Sequence, residues 1–95
     1  MTVLLITKRA ERDLDRLTGF LLDAAPEAAI DTTELVIDGL NTLKRHPRIG
    51  RMRNDGLREL VISRGKSGYI ALYRYDEIHN VVIVLAIRHQ REVGL

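Results

Sequence analysis

The sequence predicts an α+β domain in which a helical hairpin packs on a mainly antiparallel sheet, with its elements in the order β-α-α-β-β-β. Apolar residues recur at intervals of three and four through the first half of the chain, which is the period of an amphipathic helix. The second half instead contains short runs rich in β-branched and aromatic residues, separated by Gly, Asn and Asp. Because no repeat or linker interrupts the 95 residues, we expect one domain over residues 1–95.

The first strand and the first helix follow from a change of period. Residues 2–7 form a short apolar run, and Thr7 is a suitable N-cap for the helix behind it. The apolar stripe of this helix consists of Ala10, Leu14, Leu17 and Leu21. Its polar side is expected to carry Arg9, Arg12, Asp13 and Arg16. Pro26 should end this helix and suits the first turn of the next one, because the residue before a proline is pushed out of the α region.

A second helix completes the hairpin, and three strands follow it. The apolar stripe of this helix consists of Ala29, Thr33, Val36, Leu40 and Leu43. Gly39 lies inside the helix at a cost of about 1 kcal/mol relative to alanine, which predicts close packing against a neighbour. After Pro47, residues 48–56 have the composition of a loop. The predicted strands span residues 57–62, 68–75 and 81–87, with turns at 63–67 and 76–80. The last strand is apolar on both faces and should therefore lie centrally in the sheet.

Composition excludes several classes of protein. With 45% apolar and 29% charged residues, the chain resembles an ordinary folding domain rather than a disordered one. No apolar run reaches the roughly 20 residues that cross a bilayer, and no signal-peptide pattern is present, so we expect a cytoplasmic protein without membrane contact. The chain has no cysteine, and its three histidines lack the spacing of a zinc site. We therefore expect no metal and no cofactor.

Charge is distributed unevenly along the chain. Residues 7–43 hold four Lys and Arg against eight Asp and Glu, a net charge of −4. Residues 44–66 hold eight Lys and Arg against two Asp and Glu, a net charge of +6. A local field of this sign attracts a polyanion or an acidic protein far better than the net charge of +2 suggests.

The basic loop, residues 48–56, is the first candidate site. Arg48, Arg51 and Arg53 flank Gly50 and can clamp phosphate through bidentate hydrogen bonds. The same loop can equally be a solvated surface or pair with the carboxylates of a partner protein. No aromatic residue interleaves these cations, which argues against base stacking on single-stranded nucleic acid.

A row of tyrosines in the second predicted strand is another candidate. Tyr69, Tyr73 and Tyr75 share one face of the strand, and Arg74 points to the other. Such a row can form a binding surface or take part in proton transfer. The alternative, which is more common, is half-buried packing with the hydroxyls at the rim.

The polar end of the chain is the third candidate. Arg88, His89, Arg91 and Glu92 follow the last apolar run. Metal-free cleavage of an RNA phosphodiester needs a base, an acid and cations, and these residue types can supply all three. A solvated tail explains the same residues, since an active site requires a geometry that spacing alone does not define.

The element order and four stretches of sequence resemble the RelE/ParE toxin superfamily. These stretches are HPRIGR at 46–51, LRELVI at 57–62, GYIALYRY at 68–75 and VLAIRHQRE at 84–92. The resemblance implies the toxin half of a type II toxin-antitoxin module, neutralised by a small cognate antitoxin whose tail wraps the toxin. It also implies that operator DNA is contacted only through the antitoxin. An uncovered apolar sheet face and the helical hairpin are surfaces that an antitoxin segment would bury, and an acidic antitoxin would suit the basic loop.

The superfamily divides into two activities. RelE-like members resemble ribosome-dependent mRNA endonucleases, whereas ParE-like members poison DNA gyrase and lack the catalytic residues of the nucleases. The pair Arg91-Glu92 resembles the nuclease pattern, but no aromatic residue follows it, and only His89 can substitute. The long helical hairpin and the Pro47-x-x-Gly50-Arg51 junction are closer to the ParE pattern.

We therefore expect a gyrase poison with no chemistry of its own. The alternatives are a metal-independent mRNA endonuclease, in which His89, Arg91 and Glu92 are catalytic, and an inactive module that only binds the antitoxin and aids repression. The residues expected to bind the target or the antitoxin are Arg48, Arg51, Arg53, Arg58, Tyr69, Tyr73, Arg74 and Arg88.

Overall fold

The computed structural model describes residues 1–64 and 67–91 and confirms the α+β architecture. The elements are β1 (Val3–Ile6), α1 (Lys8–Ala24), α2 (Pro26–Thr42), β2 (Arg51–Met52), β3 (Arg58–Arg64), β4 (Ser67–Asp76) and β5 (Val81–His89). They form one five-stranded sheet in the order β1-β5-β4-β3-β2. The sequence did not predict β2, which is a two-residue strand within the basic loop. The strands predicted at residues 57–62, 68–75 and 81–87 correspond to β3, β4 and β5, and each observed strand is longer than predicted.

The hairpin begins and turns at the residues that the sequence indicated. Thr7 is extended, and its Oγ1 accepts a hydrogen bond of 3.2 Å from the Ala10 amide. The same hydroxyl donates to the Val84 carbonyl at 2.9 Å, so this N-cap also attaches α1 to β5. Ala25 leaves the helical conformation, and Pro26 starts α2 at its first turn.

Asp13 is not on the solvent side of α1, and this part of the sequence prediction was wrong. Its carboxylate Oδ2 accepts a hydrogen bond of 3.0 Å from the Ile87 amide of β5. The side chain is only 18% exposed. Because Asp13 follows Ala10 by three positions, it lies at the flank of the buried stripe rather than opposite to it.

All strand pairs are antiparallel except one. β1 pairs in parallel with β5, with Val3 opposite Val81, so the earliest and latest strands are neighbours. The central position predicted for β5 is confirmed, since it lies between β1 and β4. Between β4 and β5 the register shifts by one residue, because Leu72 pairs with Ala86 and Tyr73 pairs with Val84.

Both helices pack on the same face of the sheet, where the core lies. Apolar residues of the helices contact the inward side chains of β3, β4 and β5, among them Leu60, Tyr73 and Val84. The close packing predicted at Gly39 is confirmed, since a Cβ there would lie 2.8 Å from the side chain of Ile62. Within the described ranges, no helix is long and apolar enough to cross a membrane.

Candidate functional site

The start of the basic loop is attached to the sheet by one buried side chain. The hydroxyl of Tyr73 donates a hydrogen bond of 2.8 Å to the Pro47 carbonyl and accepts one of 2.9 Å from the Gly50 amide. Tyr73 itself is fully buried. Burial raises the pKa of the Tyr73 phenol, although the bond from Gly50 acts in the opposite direction. A Cβ at Gly50 would lie 2.6 Å from the Tyr73 ring, so this approach requires glycine.

Three of the four arginines expected to bind a partner in this region are engaged within the chain. Arg48 pairs with Glu77 at 2.7 Å, and this hydrogen-bonded carboxylate raises the pKa of Arg48. Arg53 lies 3.1 Å from Asp55. The guanidinium of Arg58 donates to the backbone carbonyls of Arg48 and Gly50, at 3.0 and 2.8 Å. These three cations therefore stabilise the loop, and they do not converge on an empty phosphate site.

Arg51 differs from the other three. It stands exposed on β2, and within the described ranges no carboxylate pairs with it. Its neighbours Ile49 and Met52 are large apolar side chains that are 57% and 54% exposed. Among the described residues, this part of the loop therefore combines one exposed cation without an ion-pair partner with two exposed apolar side chains, a composition typical of protein interfaces.

The face of the sheet that the helices do not cover, called the outer face below, brings together another set of predicted residues. The strand register aligns three rows on it: Leu5, Ile83 and Arg74; Arg51, Glu59, Leu72 and Ala86; and Val61, Ile70 and Arg88. Within the described ranges, no second layer packs on this face. Val61 is 55% exposed on β3 beside Ile70, whereas Leu72 and Ala86 of the middle row are 9% and 1% exposed. The outer face is thus apolar in the middle, with arginines around it.

The tyrosines do not form a binding surface. Tyr69 and Tyr73 lie in the core beneath the helices, where they are 4% and 0% exposed. Tyr75 is half-buried, and its hydroxyl donates to Asn80 at 2.9 Å. Of the two interpretations of the tyrosine row, packing against the core is therefore the one that the structure shows. The sequence prediction that Arg74 points away from the tyrosines is confirmed, since Arg74 is on the outer face.

Of the three candidate catalytic residues, the structure describes two, His89 and Arg91. His89 lies on the helix side of β5, with its ring edge-on to Tyr69 at a centroid distance of 5.3 Å. Its Nδ1 accepts a hydrogen bond of 3.1 Å from the Arg91 amide, which leaves the proton of a neutral ring on Nε2. Arg88 is on the outer face, and Glu92 lies outside the described residues. The structure therefore brings Arg91 close to His89 through its backbone, and it places Arg88 across the sheet.

Two functional contacts could not be recognised in the sequence. Glu77, which neutralises Arg48, lies 29 positions away in the turn before β5. Glu59 faces Arg51 across the β2–β3 pair, and its carboxylate is 3.7 Å from Arg53. Both pairs depend on sheet register, so spacing along the chain gave no signal for them. In the described part of the chain, no group of three metal-ligating side chains is present.

Residues 4–94 match the family described as the ParE toxin of type II toxin-antitoxin systems. Two curated relatives come from Caulobacter vibrioides. Toxin RelE3 is 37% identical over 84 residues, which is 88% of this chain and 89% of that protein. Toxin RelE1 is 36% identical over 70 residues, covering 74% of this chain and 75% of that protein.

Solved structures with the same fold belong to toxin-antitoxin systems. A chain of the chromosomal ParDE system from P. aeruginosa superimposes with a TM-score of 0.76 at 22% identity, over 94% of this chain and 96% of that one. A chain of the RelBE2 complex from Mycobacterium tuberculosis gives a TM-score of 0.62 at 28% identity, over 94% and 98% of the two chains. The intact E. coli RelBE complex gives a TM-score of 0.62 at 17% identity, over 97% of this chain and all of its own matching chain.

Proposed function

We propose that this chain, which belongs to the family of ParE toxins of type II toxin-antitoxin systems, stops growth by binding DNA gyrase and stabilising its cleaved-DNA state. The observation that carries the proposal is the separation of His89 from two of the cations that could bind phosphate in a nuclease. His89 is on the helix side of β5, Arg88 is on the outer face, and Arg51 is on the far edge strand. Metal-free phosphodiester cleavage needs its acid, base and cations around one phosphate, and this arrangement favours a protein-binding action.

A second function has its own support. Both curated relatives are named RelE toxins. In addition, His89 can present Nε2–H close to Arg91. The alternative is therefore a ribosome-dependent mRNA endonuclease in which His89 is the acid or base and Arg91 binds phosphate. In either case the target places the protein in the cytoplasm.

One pair of assays separates the two functions. The purified protein is incubated with gyrase and supercoiled plasmid, and separately with a translation extract containing a reporter mRNA. Gyrase poisoning predicts linear plasmid after protein denaturation and an intact mRNA. His89→Ala should then retain toxicity, as should the matched control His46→Ala, which changes an exposed histidine after the C-terminal end of α2. If the mRNA is cut, and cleavage is lost in His89→Ala but not in His46→Ala, the target is the ribosome rather than gyrase. A chain that does not stop growth without its antitoxin would be a non-toxic binding module.

We further propose that a cognate antitoxin neutralises the protein by covering the outer face. An apolar sheet face with Arg51, Arg74 and Arg88 around it suits a segment that carries both apolar side chains and carboxylates. Contact with operator DNA then occurs only through the antitoxin, because the outer face is occupied in the complex.

The test places a carboxylate on an exposed apolar residue of this face. Val61→Asp should weaken antitoxin binding about 100-fold or more, because a charge left unpaired in an interface costs several kcal/mol. Ile78→Asp is the matched control, since Ile78 is 90% exposed in the turn before β5. Equal affinities of the two variants would show that the antitoxin binds elsewhere.

A further inference from the structure

The inference concerns the hydroxyl of Tyr73, which is buried and has no solvent contact. It bonds to the loop at two points, the carbonyl of Pro47 and the amide of Gly50. We infer that Tyr73 is a positioning residue for antitoxin binding: its hydroxyl fixes residues 47–50 and thereby sets where Ile49 and Arg51 stand. The identity of the partner rests on the proposed function, whereas the attachment of the loop rests on these contacts.

The loop has no comparable support of its own. Residues 47–50 contain no helix or strand. One backbone bond supports them, from the Ile49 amide to the His46 carbonyl at 3.1 Å, and side chains of other elements bond to the segment as well. Tyr73 of β4 holds both ends of the segment, and Arg58 of β3 bonds to two of its carbonyls. Glu77 holds the Arg48 side chain from the turn before β5. Of these side chains, only Tyr73 is fully buried, and loss of its hydroxyl leaves the buried Gly50 amide without that partner.

The surface that this arrangement presents fits one kind of partner. Arg51 is exposed on β2, and the nearby residues Ile49 and Met52 are each more than half exposed. Ile49 also lines an open cavity of 480 Å³, together with Arg45, His46, Pro47 and Arg48. Residues 44–66 carry a net charge of +6, and residues 44–56 contain no Phe, Tyr or Trp on which a base could stack. The complementary occupant is a protein segment with carboxylates and an apolar side chain, and the antitoxin is the partner that we assign to it.

Prearrangement explains why a buried hydroxyl matters for binding. A loop that already has its bound conformation loses little conformational entropy when the partner arrives, so affinity is higher. Without the hydroxyl, the Gly50 amide and the Pro47 carbonyl lose their partner, and the loop samples other conformations. Arg51 then has to be ordered during binding rather than before it.

The test compares two identical chemical changes on one strand. Tyr73→Phe removes the hydroxyl that holds the loop, and Tyr75→Phe removes a hydroxyl that bonds to Asn80 outside it. Affinity for the purified antitoxin is measured by calorimetry, at a temperature at which melting curves show each variant folded. We expect Tyr73→Phe to bind about tenfold more weakly than the unmodified chain, equivalent to about 1.4 kcal/mol, and Tyr75→Phe to bind within about twofold.

Two further measurements distinguish positioning from a general loss of stability. Hydrogen exchange at the Gly50 amide should accelerate in Tyr73→Phe and remain slow in Tyr75→Phe. Arg51→Ala should also weaken binding, and the double variant should be scarcely weaker than Tyr73→Phe alone, because both changes remove the same positioned contact.

Three results would overturn the inference. Tyr73→Phe could bind like Tyr75→Phe, or its effect could add fully to that of Arg51→Ala, or Gly50 exchange could remain unchanged. Failure of the unmodified chain to bind the antitoxin is a different result, because it removes the proposed function and with it the partner assigned here.

Discussion

Replacing Asp13 by alanine should destabilise the protein more than any comparable change of an acidic residue on the outside of α1. The carboxylate accepts a hydrogen bond of 3.0 Å from the Ile87 amide, at a point where Ile87 is 1% exposed. A bond to a charged acceptor contributes about 1.5–3 kcal/mol, and its loss leaves a buried amide without a partner. The ion pair with Arg9 adds little, since its atoms are 4.0 Å apart and Arg9 is exposed. We therefore expect a loss of about 2 kcal/mol, from a total of roughly 5–15 kcal/mol.

The assay for Asp13 is denaturant unfolding together with a thermal melt. A loss of about 2 kcal/mol corresponds to a melting temperature lower by about 8–16 °C in a domain of this size. Asp15→Ala is the matched control, since Asp15 is exposed on the same helix and should change stability by less than about 0.5 kcal/mol. Asp13→Asn retains an acceptor oxygen and should lie between them. If Asp13→Ala and Asp15→Ala unfold at the same denaturant concentration, the bond to Ile87 does not stabilise the fold.

The remaining predictions concern packing, titration and capping. Gly39→Ala should lose about 1 kcal/mol in denaturant unfolding, since its Cβ would press on Ile62 and outweigh the gain in helix propensity; Gly19→Ala, with open space around it, should gain about 0.5–1 kcal/mol. Because burial raises the pKa of Tyr73, the stabilisation from its neutral phenol is fully present below pH of about 10 and is lost as the pH rises through the folded-state pKa. The free energy of unfolding, measured by denaturant titration, should therefore fall more steeply above that pH in the unmodified chain than in Tyr73→Phe. Thr7→Ala should cost about 1–2 kcal/mol, and Thr7→Ser should recover most of it in the same melt.

The fold could be predicted from the sequence because its signals are local. The helical period, the Thr7 cap and Pro26 define the hairpin, and the apolar run of β5 indicates a central strand. The features that could not be predicted depend on contacts between residues that belong to different elements of the fold. β2 exists only because β3 lies beside it, and it consists of two residues with no apolar pattern of their own. Asp13 looked like a surface residue because three of its polar neighbours are on the surface, whereas its own partner is 74 positions away.

The candidate site was predicted less well for the same reason. Sequence composition located the cations of the basic loop but gave no sign that Glu77 and Asp55 already neutralise Arg48 and Arg53. Alternation correctly separated Arg74 from the tyrosines, because the period of a strand is a local property. Whether the tyrosines faced solvent or core depended on which side the helices pack, and spacing within one strand does not contain that information.

The parallel pairing of β1 with β5 affects when the protein can become active. Val3 and Ile6 find their partners only after residues 81 and 84 have been synthesised, and α1 also packs on β5. The ribosome therefore has to deliver almost the whole chain before the core closes, and contacts of such long sequence separation form slowly. During this interval the hairpin has no sheet to cover, and its apolar stripe is open to proteases and to binding proteins. A newly made chain thus passes through a period in which it is present without its complete fold.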